Sequence, residues 1–329
     1  MKPYSSARDE FTGEADVYLD ANENPYPSYY NRYPDPLQKK VKEALAPLKG
    51  TRPENIFLGN GSDEAIDLLI RSFCEPRQDS ILILEPTYGM YTVCANVNAV
   101  SVQTVSLTKS FDIDVEATLK AIDSTTKIIF VCSPNNPSGN LLNRQSIYQL
   151  LEQFSGLVVV DEAYIDFAES ESFIALLNEF ENLVILQTFS KAWGLAGLRL
   201  GMCYASSAII SVLNKVKYPY NINVQTQTLA LKALGNSLRK DIEVKQLIRE
   251  RKKLMSTLTE LPLVRKVFTS EANFLLVQVQ DVKAAYQYLL HKGIIVRDRS
   301  SVLNCENCLR ITVGTPEENQ RLLATLKEI

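Results

Sequence analysis

The strongest constraint on this chain is an alternation that runs from about residue 56 to residue 205. Short apolar runs are followed by helical patterns: "NIFLG" by "DEAIDLLIRSF", "SILILEP" by "YGMYTVCANV", "TKIIFVCSP" by "RQSIYQLLEQF". "VSVQTVSL", "GLVVVDEAY", "NLVILQTFS" and "LRLGMCYA" supply further strand-like runs. Runs that are apolar at successive positions, rather than at every second one, need cover on both faces, which predicts a largely parallel α/β sheet clothed in helices. Ligands of such sheets gather at the carboxyl ends of the strands. Upstream, Leu37, Val41, Leu45 and Leu48 keep helical spacing until Gly50 stops the run. From about residue 208 long helices take over, then shorter strands in "FLLVQV", "GIIVRD" and "LRITVG" and a last helix, which predicts a smaller α+β domain. The "RERKK" stretch is expected to be a solvated helix face.

Composition narrows the function classes. A chain of 329 residues has room for about two domains at roughly 150 residues each, and its 46% hydrophobic and 22% charged residues are those of a globular protein. A net charge of -3 gives no general field for nucleic acid or an anionic membrane, so an anionic ligand must meet a local site. No apolar stretch reaches the roughly 18 residues of a membrane span, and "MKPYSSARDEFTGEADVYLD" has no apolar signal core, so a cytoplasmic location is expected. The six cysteines do not form a disulfide framework in that setting, and reduced thiols are expected. Cys305 and Cys308 form one "CENC" without a second pair, and no metal site is expected. With His291 as the single histidine, Ser-His and Cys-His nucleophilic catalysis are disfavoured.

The polar residues at the strand ends form a set. In "GNGSDE" glycines precede a helix start, where Ser62 can cap the helix or hydrogen-bond an anion; Asp63 and Glu64 are expected to point away. Asn135 and Asn136 of "SPNNPSG" are either turn formers or ligands. Asp161 follows a buried run, so its carboxylate needs hydrogen bonds or a cation, as an N-cap or as the partner of a protonated ring nitrogen. Lys191, in "LQTFSKAWGLAGLRLG", is either a snorkelling side chain or an amine whose lowered pKa suits a nucleophile or base. Ser190 and Arg199 can both contact phosphate, and Tyr88 offers an aromatic face. Amine, carboxylate, amide, aromatic and anion cradle together suit pyridoxal 5'-phosphate, whose aldehyde takes a lysine and whose ring nitrogen takes an aspartate.

On these motifs, from "LDANENP" to "CLRITVGT", the chain resembles the fold type I PLP-dependent aminotransferases, and within them the branch acting on histidinol phosphate. The resemblance implies a large domain on a mostly parallel seven-stranded sheet, residues 31–210. It also implies a small domain, 211–329, joined by the N-terminal segment 1–30, and a homodimer. It makes Lys191 the covalent anchor of the cofactor, with Ser190, Arg199 and Thr188 at its phosphate. Asp161 becomes the ring-nitrogen partner, and Tyr164 a donor to the 3'-oxygen shared with Asn136. The amides around Ser62 and Asp63 become the phosphate cup, and Tyr88 the stacking aromatic. Tyr33 of "RYPDP" is implied to reach the neighbouring subunit's cofactor. Arg310 and Arg297 are implied to hold the substrate's anionic groups, and Asn22 and Asn24 to close over it; from spacing alone, Arg297 could instead pair with Asp298 or Glu306. The implied reaction is transamination of L-histidinol phosphate with 2-oxoglutarate, giving glutamate. A threonine-phosphate decarboxylase, an aromatic amino-acid aminotransferase and a non-catalytic binding module on the same scaffold are the competing readings.

Overall fold

The computed structural model describes residues 15–329. Part of the expected joining segment, residues 1–14, lies outside the described residues. The apolar runs become seven strands: β1 (Ile56–Asn60), β2 (Ser80–Glu85), β3 (Ser101–Ser106), β4 (Thr126–Cys132), β5 (Leu157–Asp161), β6 (Leu183–Thr188) and β7 (Leu200–Ala205). They form one sheet in the order β1-β7-β6-β5-β4-β2-β3. Only β7 runs antiparallel to its neighbours. This is the expected α/β fold on a mostly parallel seven-stranded sheet.

The double burial read from the runs is visible in the core. One face carries Leu58, Ile129, Val131, Val158, Val160 and Ile185, packed with residues of α1 (Lys39–Lys49) and α5 (Arg144–Gln153). The other carries Phe57, Ile128, Phe130, Val159, Val184 and Leu186, under α2 (Gly61–Phe73), α3 (Met90–Val97) and α6 (Ser207–Val216). Successive strand residues point to opposite faces, so unbroken apolar sequence is what two helical layers require. The edge strand β3 is the exception: four of its six residues are polar and only Val105 is buried. Between β3 and β4 lies the short helix α4 (Val115–Ala121).

The C-terminal part builds a second sheet from β8 (Val264–Val267), β9 (Phe274–Val279), β10 (Arg297–Asp298) and β11 (Cys308–Thr312), all antiparallel, in the order β10-β11-β9-β8. With it come α7 (Val224–Leu234), α8 (Ser237–Thr259), α9 (Val282–His291) and α10 (Pro316–Leu326). Leu275, Val277, Leu309 and Ile311 face α8, α9 and α10, while Leu276 and Cys308 alternate onto the other face and join the core of the large sheet together with Ala230 and Leu234 of α7. The second sheet is therefore pressed against the first.

Three local expectations change. "GIIVRD" is not a full strand: Gly293–Val296 leave α9 as a turn, Ile294 N–H still bonding to Leu289 O, and only Arg297 and Asp298 pair with β11. Leu48 keeps helical spacing but is 48% exposed at the last turn of α1, which Gly50 ends in a left-handed conformation. In "RERKK", Arg251 is buried. Its Nη1 donates to Phe167 O (3.2 Å) and Ala272 O (2.8 Å), and its Nη2 to Glu271 (3.1 Å). A guanidinium has five donors in a plane, so one side chain can tie α8 to carbonyls of both parts of the molecule, which a charge run does not reveal.

Candidate active site

The carboxyl ends of β1, β4, β5 and β6 open into one cleft. It is lined by Gly61, Ser62, Asp63, Tyr88, Cys132, Asn136, Asp161, Ala163, Tyr164, Thr188, Ser190, Lys191 and Arg199, around about 510 Å³ of empty space that includes its open mouth. Ten residues singled out from the sequence thus meet in one place, although 137 positions separate the first from the last.

Asp161 ends β5 and is fully buried. It is no helix cap: its Oδ2 accepts from Tyr91 Oη at 2.7 Å and its Oδ1 from Ala163 N–H at 3.0 Å. Burial outweighs both donors and pushes its pKa up to about 6. Tyr91, stacked on Phe130 beneath the sheet, escaped the sequence reading. Its signal was the spacing "YGMY", which sets Tyr91 three residues after the tyrosine already singled out, and the two rings meet edge-on at 5.6 Å.

Lys191 follows β6 by three residues and opens to the cleft. Its ammonium lies 5.5 Å from the centre of the Tyr164 ring. Burial first, then the charge of Arg310, hold its pKa below the ordinary lysine value. Among the described residues its Nζ has no hydrogen-bond partner, and neither does the Tyr164 hydroxyl, although Tyr164 is itself buried and packed edge-on against Phe274 at 5.1 Å. Two polar groups are therefore uncommitted and open to the space of one cleft.

On the opposite wall Gly61 starts α2 with φ +73°, and a methyl group there would lie 2.7 Å from Arg199 Nη2. Glycine is needed for both reasons. The guanidinium so admitted reaches Ser190 Oγ and Asp63 Oδ2, each at 3.5 Å. Asp63 therefore does not point away as expected. It turns into the cleft because Arg199 supplies a cation, and its Oδ1 accepts from Tyr88 Oη at 3.1 Å. Glu64 folds back to accept from Asn60 N–H and Asn221 Nδ2. Ser62 is in the first turn of α2, not at its cap, which falls on Asn60. Thr188 Oγ1 accepts from Ser190 N–H at 3.0 Å and fixes the turn before Lys191.

The second sheet reaches the cleft through Phe274 against Tyr164 and through a hydrogen bond that Arg310 Nη1 donates to Asn136 Oδ1 at 2.6 Å. The loop carrying Asn136 is docked there by Gly139, which has φ +86° and no room for a side chain beside Ser270 Oγ. Arg297 lies directly across from Arg310 in the strand register and makes no ion pair with Asp298 or Glu306 among the described residues. Asp298 Oδ1 accepts from Ser300 instead. Asn22, Asn24 and Tyr33 do not line the cleft of their own chain. Asn22 and Asn24 lie in an exposed stretch, where Asn24 Oδ1 accepts from Tyr26 N–H, and Tyr33 is half-exposed and stacked on Tyr220 at 4.4 Å.

A family model described as aminotransferase class I and II matches residues 19–326. The chain belongs to the class I and II aminotransferases. This aminotransferase is 57% identical over 329 residues to the histidinol-phosphate aminotransferase of Parabacteroides distasonis, covering 100% of this chain and 95% of that one. The solved histidinol-phosphate aminotransferase from Clostridium acetobutylicum superposes with a TM-score of 0.84 at 25% identity, over 90% of each chain. A structure from Sinorhizobium meliloti in complex with pyridoxal-5'-phosphate superposes at 0.82, over 90% of this chain and 82% of that one; at 23% identity this likeness shows the fold alone. The family depends on pyridoxal 5'-phosphate, which is this aminotransferase's cofactor. The cleft fits that group by its donor set: an unpaired amine, a buried carboxylate, an aromatic wall, an unpaired phenol and a helix start flanked by Ser190 and Arg199.

Proposed function

We propose that this aminotransferase moves the amino group of L-histidinol phosphate to 2-oxoglutarate, giving imidazole-acetol phosphate and glutamate. The observation that carries the reading is the meeting of Lys191, Asp161 and Tyr164 in one cleft whose rim is touched by Arg310 of the second sheet. The histidinol-phosphate aminotransferases it resembles across the whole chain support the same substrate.

In this reading Asp161 holds the cofactor's ring nitrogen and Tyr88 its face. Tyr164 and Asn136 hold its 3'-oxygen. Ser62, the first amides of α2 including that of Asp63, Thr188, Ser190 and Arg199 hold its phosphate, where free N–H groups and the helix dipole favour an anion. When bound, the cofactor supplies an electron sink for the substrate's Cα. The chain does the rest. Asp161 keeps the ring nitrogen positive, because its carboxylate gains a cation where it now has only two hydrogen bonds. Lys191 Nζ, more readily neutral than an ordinary lysine, takes the proton from substrate Cα and later returns one. Tyr164 donates through its free hydroxyl and walls the amine on one side. Arg310 and Arg297 orient the substrate by its anionic end, and Asn22 and Asn24 cover it.

The reading includes a homodimer, supported by the exposed tyrosines Tyr26, Tyr29, Tyr30 and Tyr33 along one stretch. Tyr33 then completes the neighbouring site. Mixing Lys191→Ala with Tyr33→Ala subunits would rebuild one intact site per hybrid dimer, so the mixture should recover activity that neither variant has; no recovery would remove Tyr33 from the site. A cytosolic location goes with this reading and is supported by six free, buried cysteines; no helix among the described residues is long and apolar enough to cross a membrane. The deciding experiment gives the holoenzyme 2-oxoglutarate with L-histidinol phosphate, threonine phosphate or phenylalanine. Glutamate formed fastest with histidinol phosphate is expected, while carbon dioxide without glutamate would overturn transamination.

A further inference from the structure

Arg299 lies outside every motif discussed so far, yet its environment is unusual. Its N–H bonds to Cys308 O at 2.8 Å, which carries the β10-β11 ladder one residue past Asp298 and sets Arg299 opposite Cys308. Side chains opposite each other, or two apart on a strand, share a face. Arg297, Arg299 and Arg310 therefore project from the same face of the second sheet. It is the face pressed toward the large domain, since Cys308 beside Arg299 and Leu276 beside Arg310 are buried in the core of the large sheet.

Among the described residues the Arg299 guanidinium has no hydrogen-bond or ion-pair partner, and its Nε is buried without an acceptor. Burial, then the charges of Arg310 and Arg297, press against its positive state. The Tyr164 phenol is close enough to interact with both Arg299 and Arg310. Arg297 is exposed at the edge of this face, whereas Arg299 and Arg310 are partly buried, and with no carboxylate among the three the partly desolvated pair lacks a counter-charge. The arrangement makes sense if a ligand brings the charge. One bidentate arginine satisfies a carboxylate. A phosphate monoester brings about -1.5 to -2 charge and three terminal oxygens, and so has use for a third guanidinium.

We propose that Arg299 is a specificity-determining residue, the third guanidinium of a pocket with Arg297 and Arg310 that selects amino substrates carrying a phosphate monoester. This rests on the transamination reading of the cleft, and its test is built to fail separately. In holoenzyme carrying Arg299→Gln, kcat/KM for L-histidinol phosphate should fall by about 10- to 100-fold, the scale of one or two charge-assisted hydrogen bonds. The loss should appear mainly in KM, the same variant should handle unphosphorylated histidinol as the parent does, and Arg299→Lys should recover part of the loss. Inorganic phosphate, measured as a competitor of the glutamate half-reaction, should bind Arg299→Gln about 10-fold more weakly. Equal losses with histidinol and histidinol phosphate, or unchanged inhibition by inorganic phosphate, would overturn the assignment. A parent enzyme inert toward histidinol phosphate whose phosphate inhibition still depends on Arg299 would overturn the substrate reading and sustain the pocket.

Discussion

Asp161 at the end of β5 is a fully buried charge and Arg299 beyond β10 a partly buried one, and their surroundings differ. Asp161 is given two hydrogen-bond donors, Tyr91 and Ala163, by the protein itself, while Arg299 is given none among the described residues. The carboxylate of the first region is held in place before any ligand arrives. Strands of the large sheet end in register, and turns such as the one fixed by Thr188 leave their polar residues aimed into a common cleft. The second region, three arginines on one face of the β10-β11 edge, is complete only when an anion is present. A permanent cofactor and a substrate that comes and goes call for this division: preorganisation for the one, unspent charge for the other.

The comparison can be broken most decisively in its first region. Lys191→Ala removes the amine to which the proposed reaction assigns proton transfer, and turnover should fall by at least about 10³-fold; the visible spectrum of the purified protein should no longer respond to glutamate.

Asp161→Asn should cost about 10²-fold in turnover, because a neutral amide cannot balance a ring cation. Its effect on stability has the opposite sign. With a folded pKa of about 6 against a reference of 3.8, Asp161 binds its proton more tightly folded than unfolded. The cofactor-free protein is therefore favoured at low pH and loses up to about 3 kcal/mol as pH rises through that window. Cofactor-free Asp161→Asn should accordingly melt higher than the parent at pH 8, and the gap should close near pH 4; a lower melting point at pH 8 would show that the carboxylate is better solvated than its burial indicates.

Arg251→Met tests the tie between the two regions. Removing a buried guanidinium that serves Phe167 O, Ala272 O and Glu271 should cost about 3 kcal/mol in chemical unfolding. Because Phe167 and Ala272 pack in one cluster with Tyr164 and Phe274, KM should rise more than kcat falls. The smallest change is expected from Tyr91→Phe, which takes one donor from Asp161. Its pKa should move further up, and the acid limb of cofactor retention should shift to higher pH, with a loss of about 1 kcal/mol in cofactor affinity at neutral pH.

The legible part of the site was the part written in strand ends. Asn136, Asp161 and Lys191 each close an apolar run, and a parallel sheet places such positions together whatever the intervening sequence. Tyr91 and Arg251 were hidden because a tyrosine on an apolar helix face and an arginine in a charge run look alike whether they serve a site or not. Asp63 was misread for a related reason: its orientation depends on Arg199, which arrives from 136 positions away.

The sequence by itself determined the sheet, its two helical covers and the chemistry available at its edge, because burial on both faces dictates unbroken apolar runs and because glycine, asparagine and lysine at their ends have few bland uses in combination. Only the tertiary structure decided which charges distant in sequence are paired. Whether Asp63 meets Arg199, whether Arg251 is solvated, and whether Arg299 shares a face with Arg297 and Arg310 depend on the docking of one sheet against another. Partnership between charges far apart in the sequence is set by distance in space, and no local pattern encodes it.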